Sequence, residues 1–184
     1  WSCIIWWWTR CPGGSSWTTC ALRCASRTAV AALTPNRRAA DRHDLGLQIV
    51  FCDLGTPGST RFDMYAELRS QLVARGFESD RIRFVQDAKT DKAKESLFAA
   101  CRNGDVDVVI GSTGTFGEGT NIQDRVTAIH HLDAPWRPSD IRQREGRGVR
   151  QGNPNHVRIY RYVVTGSFDA FMWGTLERKA RFIE

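Results

Sequence analysis

Residues 105–112 read DVDVVIGS, and the fold turns on how that run is placed. Val108, Val109 and Ile110 are consecutive, so a strand here is apolar on both faces, as a strand covered by helices on both sides must be. QIVFCD (48–53), RIRFV (81–85), VTAIHHLD (126–133) and HVRIYRYVV (156–164) share that character. Between them lie segments of helical period. FDMYAELRSQLVARG (62–76) spaces Phe62, Tyr65, Leu68, Leu72 and Val73 on one face and stops at Gly76. TDKAKESLFAACRNG (90–104) does the same with Ala93, Leu97 and Ala100, ending at Gly104, and SFDAFMWGTLERKARFI (167–183) is a final helix. Strands alternating with helices predict an α/β three-layer sandwich with a mainly parallel central sheet.

Composition supports a globular domain: 184 residues, 41% hydrophobic, with a formal net charge of +6. That charge is uneven. Residues 1–44 carry six Arg and two Asp; 45–124 hold nine basic and twelve acidic residues; 125–184 hold eleven basic and six acidic. Within the regular part of the chain, positive charge is therefore concentrated in the last third, which suits an anionic partner.

The first 40 residues differ from the rest, with no Asp, Glu or Lys, five Trp and four Cys. IIWWW (4–8) is too short for a membrane span or a signal-peptide core, so no membrane partner is expected. Cys3, Cys11, Cys20 and Cys24 contain no CxxC pair and have only His43 nearby, so no metal site is expected. Residues 1–44 read as an irregular segment foreign to the fold, such as upstream sequence or an out-of-frame translation. The domain proper is expected over 45–184. Cys52 and Cys101 sit in apolar surroundings and read as small buried residues of a reducing compartment.

In a parallel sheet, ligands meet the loops at the carboxyl ends of the strands. Three such loops stand out: DLGTPGST (53–60), GSTGTFGEGTNIQ (111–123), and DAPWRPSD (133–140) running into IRQREGRGVRQGN (141–153). The second is glycine-rich without being a dinucleotide fingerprint, and Thr120 and Asn121 stand where a P-loop needs Lys and Ser/Thr. In the third, Gln143, Arg147 and Arg150 fall at i, i+4 and i+7, one face of one helix, with Arg142 and Arg144 pointing elsewhere. Two guanidinium forks on one face suit the stabilisation of a migrating phosphoryl group; a solvated face paired with Asp140 and Glu145 is the alternative. Gly146 and Gly148 flank Arg147, each costing a helix about 1 kcal/mol, which suggests close approach to this backbone.

The ordered set IVFCDLGTP, VVIGSTGTFGEGTNIQ, HHLDAPWRPSD and QREGRGVRQGN resembles motifs IV, V and VI of superfamily-two helicases, in particular the Swi/Snf-type DNA translocases. Large phage and mobile-element helicases that pair such a motor with a DNA N6-adenine methyltransferase are similar over about 45–184. The resemblance implies a RecA-like fold and the second of two lobes that hold ATP and Mg²⁺ between them. It implies arginine-finger roles for Arg147 and Arg150, nucleotide contacts for Gly119, Asn121 and Gln143, and DNA-backbone contacts for Thr56, Ser112, Thr113 and Gly114. The implied partners are double- or single-stranded DNA, the N-terminal helicase lobe and a DNA methyltransferase domain, in the cytoplasm. The sequence contains no Walker A lysine, no DExx box and no SAT-like motif, so the chain is expected not to hydrolyse ATP alone.

Two alternatives to a motor lobe are a non-catalytic nucleic-acid-binding remnant and an unrelated α/β domain for a nucleotide or sugar phosphate. His130, His131 and Asp133 resemble a catalytic or metal cluster, but alternation sends the two histidines to opposite faces, favouring structural roles. Trp136 and Trp173 read as core or loop anchors. Arg178, Lys179 and Arg181 read equally well as a solvated face or a DNA-facing rim.

Overall fold

The computed structural model describes residues 17–33, 46–58, 63–117, 121–164 and 168–183. Among these, five strands form one sheet: β1 (Leu47–Phe51), β2 (Ile82–Phe84), β3 (Val108–Gly111), β4 (Val126–His131) and β5 (Arg158–Arg161). Their order is β2-β3-β1-β4-β5 and every pairing is parallel. The helices are α1 (Trp17–Leu33), α2 (Met64–Ala74), α3 (Asp91–Asn103), α4 (Thr113–Phe116), α5 (Pro138–Glu145) and α6 (Phe168–Ile183).

Every residue of β1 and β3 is buried, as expected of strands covered on both faces. Strand alternation divides the core in two. Val50, Val108 and Ile110 face α1 and α2, meeting Val30, Leu33, Met64, Tyr65, Leu68 and Leu72. Leu47, Ile49, Phe51, Val109, Val126 and Ile129 face the other way, against Phe98 and Cys101 of α3 and Phe116 of α4. Helix starts follow the local chemistry. Asp63 accepts from the Ala66 amide at 2.9 Å and Thr90 from the Ala93 amide at 3.2 Å, each satisfying a first-turn donor. Gly104, at φ 92°, ends α3 in the left-handed conformation.

Some expectations shift. Val73 lies on the exposed side of α2, and α3 turns Phe98 and Cys101 inward while Ala93 is exposed. Trp17–Leu33, part of the segment read as irregular, is helical and buries Ala25, Ala29, Val30 and Leu33 against α2 and the sheet. The small apolar residues of that helix pack closely where composition suggested foreign sequence. Residues 1–16 and 34–45, and so Cys3, Cys11 and His43, lie outside the described residues. Cys52 and Cys101 are buried free thiols, as expected.

The connection leaving β1 leads toward the β2 edge, and the one leaving β4 leads toward the β5 edge. The crevice where an open parallel sheet binds ligands therefore falls between the carboxyl ends of β1 and β4.

Candidate functional site

That crevice is filled by a side chain of the protein. Arg144, the next-to-last residue of α5, is 1% exposed. It donates from Nη2 to Asp53 Oδ2 at 2.7 Å and to Asp133 Oδ1 at 3.2 Å, from Nε to Thr113 Oγ1 at 2.7 Å, and from Nη1 to the Asp133 carbonyl at 3.0 Å. Asp53 follows β1, Asp133 follows β4 and Thr113 follows β3, so one guanidinium joins three strand ends to α5. The two carboxylates bind the loops further. Asp133 Oδ2 accepts from the amides of Asp53 and Leu54 at 2.5 and 2.7 Å, and Asp53 accepts from the amide and hydroxyl of Thr113 at 2.6 and 2.9 Å. Burial raises the Asp133 pKa to about 6, against the opposing pull of Arg144.

Around this hub the neighbours divide by strand parity. His130 points to the α1 side, with Nδ1 2.7 Å from the Tyr162 hydroxyl and Nε2 3.2 Å from Gln48 Oε1. Because an amide oxygen only accepts, Nε2 is the donor and Nδ1 the acceptor. His131 points to the other side, stacked on Phe51 and edge-on to Trp173. Its Nε2 stands 3.6 Å from Glu145 Oε1, outside hydrogen-bond range. Burial lowers the pKa of His130 to about 3 and of His131 to about 4, so both rings are neutral at pH 7. The cluster is built into the core: both rings are buried, His130 bonds to Tyr162, and Asp133 holds Arg144 and the amides of Asp53 and Leu54.

The expected site residues distribute unevenly. α5 ends at Glu145, so Gln143, Arg147 and Arg150 are not one helical face. Gln143 is an exposed helix residue, whereas Arg147 and Arg150 belong to the turns that follow. Arg147 is buried and donates to the Gly117 carbonyl, in the loop leaving β3 through α4. Arg150 is exposed and lines a cavity shared with β5. The close approach suggested by the two glycines is internal at Gly148, where an added Cβ would lie 2.6 Å from Val126 Cγ1. Gly146 ends α5, its missing Cβ leaving room for the Arg142 carbonyl.

Ser112, Thr113 and Gly114 come together at the start of α4, but not equivalently. Ser112 and Thr115 form a reciprocal capping box. Thr113 gives both its donors to Asp53, so it ties the loop down instead of offering a hydrogen bond outward. At Gly114 a Cβ would meet nothing within 4 Å, leaving its backbone open to an outside group. Thr56 is half-buried in the loop after β1, and Asn121 is exposed with its carbonyl accepting from Arg102 at 2.7 Å. Gly119 lies outside the described residues. Trp173 is buried as expected, but Trp136 is 64% exposed beside Phe168.

Sequence reasoning misses Arg144, grouping it with Arg142 as pointing elsewhere. A signal is present: QIVFCD and AIHHLD each end in an aspartate at the carboxyl end of a buried strand, and two such carboxylates call for a shared cation.

Comparison with known proteins agrees with this fold. The family described as the helicase conserved C-terminal domain matches residues 41–152. The Defense against restriction protein B of Escherichia phage P1 is 48% identical over 66 residues, 35% of this chain and 3% of that protein. The human DNA annealing helicase and endonuclease ZRANB3 is 35% identical over 80 residues, 42% of this chain and 7% of that protein. This chain thus spans a small part of the length of either relative. Among solved structures, the E. coli DEAD-box protein SrmB superposes with a TM-score of 0.62 at 18% identity, covering 86% of this chain and 79% of that one. The C-terminal part of the Fun30 ATPase domain does so at 0.62 and 15%, covering 89% and 47%. Carrying a five-stranded parallel RecA-like sheet and matching the family over most of its described fold, the chain belongs to the helicase C-terminal domains of superfamily two.

Proposed function

We propose that the chain is the second motor lobe of an ATP-dependent DNA helicase or translocase, with Arg147 and Arg150 as arginine fingers. The observation that carries this reading is the common frame under the two kinds of loop. Arg144, three residues before Arg147, is bonded to Thr113 beside Gly114 and to Asp53 close to Thr56. A shift in the residues that face phosphate is thereby transmitted to the loops that face the DNA backbone, which is what a stepping motor requires. Backbone contacts at Thr56, Ser112 and Gly114, anchored by Thr113, are independent of base sequence and suit tracking along DNA.

Exposed Gln143, Asn121 and Arg150 suit a nucleotide's phosphates and ribose, with Gly119 from the same loop. In this reading Mg²⁺ is held mainly by the N-terminal lobe. Bound ATP supplies the phosphoryl group whose transfer to water drives the motor. Arg147, buried and tied to Gly117, holds its loop in place, while Arg150 is free to meet charge arriving from the other lobe. The motif loops of the working lobe all lie within residues 45–184, and without its partner the lobe does not turn over ATP. The relative from phage P1 supports a parent of phage or mobile-element type; in this reading the parent acts on DNA in the cytoplasm alongside a methyltransferase domain. Among the described residues no helix is long and apolar enough to cross a membrane.

The test is Arg150→Ala in the complete two-lobe motor. DNA-stimulated ATP hydrolysis should fall by about 10³-fold, as for other arginine fingers, with DNA binding retained. Unchanged turnover would rule out the finger role, and a parent without a nucleotide-binding first lobe would favour a non-catalytic remnant.

A further inference from the structure

The cavity beside β5 carries a charge arrangement of which the motor reading uses only Arg150. It has a volume of about 340 Å³, within the range of small-ligand sites. Its walls come from the turns after α5, between Gly148 and Asn155, from His156 and Val157 leading into β5, and from Arg158, Ile159 and Arg161 of β5 itself. Arg150, Arg158 and Arg161 line it together with His156, and no carboxylate does. Arg161 is committed elsewhere, donating to Glu145 at 2.7 Å with its guanidinium 5.0 Å from the Trp173 ring centre. Arg150 and Arg158 have no ion-pair or side-chain hydrogen-bond partner among the described residues. Val149, Val157 and Ile159 supply an apolar wall, and beside such a wall the field of two unpaired guanidinium groups is less screened than on an open surface.

We propose that this cavity binds a phosphate-bearing anion through Arg150 and Arg158, its wall shaped by Asn153, whose side-chain amide donates to the Val126 and Gly148 carbonyls. Two like charges facing one concavity repel each other until an anion enters. The fork of Arg158 matches a phosphate bidentately, as that of Arg150 does. This inference rests on the motor-lobe reading for Arg150 and extends it to a strand residue outside the loops that carry the family's motifs. The phosphate comes either from a free polyphosphate tail or from a nucleic-acid backbone.

Isothermal titration of the 184-residue chain with tripolyphosphate, and separately with a short DNA duplex, tests the proposal. Arg158→Gln should weaken binding about tenfold, the worth of one charge-assisted hydrogen bond, and Arg158→Lys should recover part of it. Arg83→Gln, on an exposed position of β2, should change nothing, and thermal melts should confirm that all variants are folded. Dependence on Arg158 with tripolyphosphate assigns the site to a polyphosphate tail; dependence with the duplex alone assigns it to the nucleic-acid backbone. Wild-type affinity of Arg158→Gln for both probes overturns the inference. If Arg150→Gln then still abolishes binding, the arginine-finger reading survives without it; if Arg158→Gln is weak while turnover survives Arg150→Ala, this site stands and that reading falls.

Discussion

Arg144 Nη2 lies 2.7 Å from Asp53 Oδ2, joining the end of α5 to the end of β1 across 91 residues of chain. Together with Asp133 and Thr113 it plugs the crevice that the strand order opens between β1 and β4. An open sheet with an aspartate at each of two neighbouring strand ends must either bind a cation or supply one, and this chain supplies it from its own helix.

Truncating that cation is expected to be among the most destabilising single changes in the fold. Arg144→Ala leaves Asp53 and Asp133 facing each other without a counter-charge and should cost about 3–5 kcal/mol, the usual result of breaking a buried ion pair from one side. Arg142→Ala, two residues away on the exposed side, should stay within about 0.5 kcal/mol. Urea denaturation of the two variants measures the contrast, and equal midpoints would show that Arg144 does not hold the strand ends.

The pH dependence of stability follows from three buried groups. His130 and His131 have folded pKa values of about 3 and about 4, below the unfolded 6.5, so the stability they confer is present above pH 6.5 and lost as the pH falls toward those values. Asp133 works in the opposite direction. Its folded pKa of about 6 exceeds the unfolded 3.8, so its contribution is full below pH 3.8 and lost as the pH rises through 6. Between pH 7 and pH 5 the two histidines outweigh the one aspartate, since each tenfold difference in proton affinity between folded and unfolded chain is worth about 1.4 kcal/mol. A net loss of about 2 kcal/mol is expected, read as a lower urea midpoint at pH 5.

Much of the fold is legible in the sequence because it depends on local pattern. Short runs of consecutive valines and isoleucines bounded by turn residues favour strands covered on both faces, and Gly104 marks the end of α3 by itself. Alternation alone places the two histidines on opposite faces. Periodicity does not reveal partners brought in from distant strands, which is why Arg144 stays hidden: Thr113, Asp53 and Asp133 lie in segments 11 to 91 residues away. Extending the helical pattern through Gly146 and Gly148 gives Arg147 and Arg150 a common face that the helix end denies them. The cost of those glycines is the warning, but its cause is β4 packed against Gly148 and not an incoming ligand. Composition misleads at α1 because it records the unusual residues of a segment and not how its alanines pack.

The two kinds of glycine can be told apart by substitution. Gly148→Ala places a methyl 2.6 Å from Val126 Cγ1 and should cost about 1–3 kcal/mol through overpacking. Gly114→Ala meets nothing within 4 Å and should leave stability within about 0.5 kcal/mol. If the loop after β3 grips a DNA backbone closely, the same Gly114 variant should nonetheless weaken duplex binding. Unaltered binding would remove Gly114 from the interface while leaving the packing argument for Gly148 intact.

Arg147 and Arg150 should separate in the same way, since their surroundings differ more than their roles. Arg147 is buried against the Gly117 carbonyl, and Arg147→Ala leaves that carbonyl without its charged donor. About 1–3 kcal/mol of stability should be lost along with turnover in the two-lobe motor. Arg150 is exposed, so Arg150→Ala should lose turnover at unchanged stability. Lysine at position 147 restores charge without the planar fork; if positioning of the β3 loop depends on that fork, Arg147→Lys should recover stability better than it recovers the rate. Thermal melts and single-turnover hydrolysis on the same preparations decide it: a rate rescued in step with stability would make Arg147 a structural tie, leaving Arg150 as the single finger.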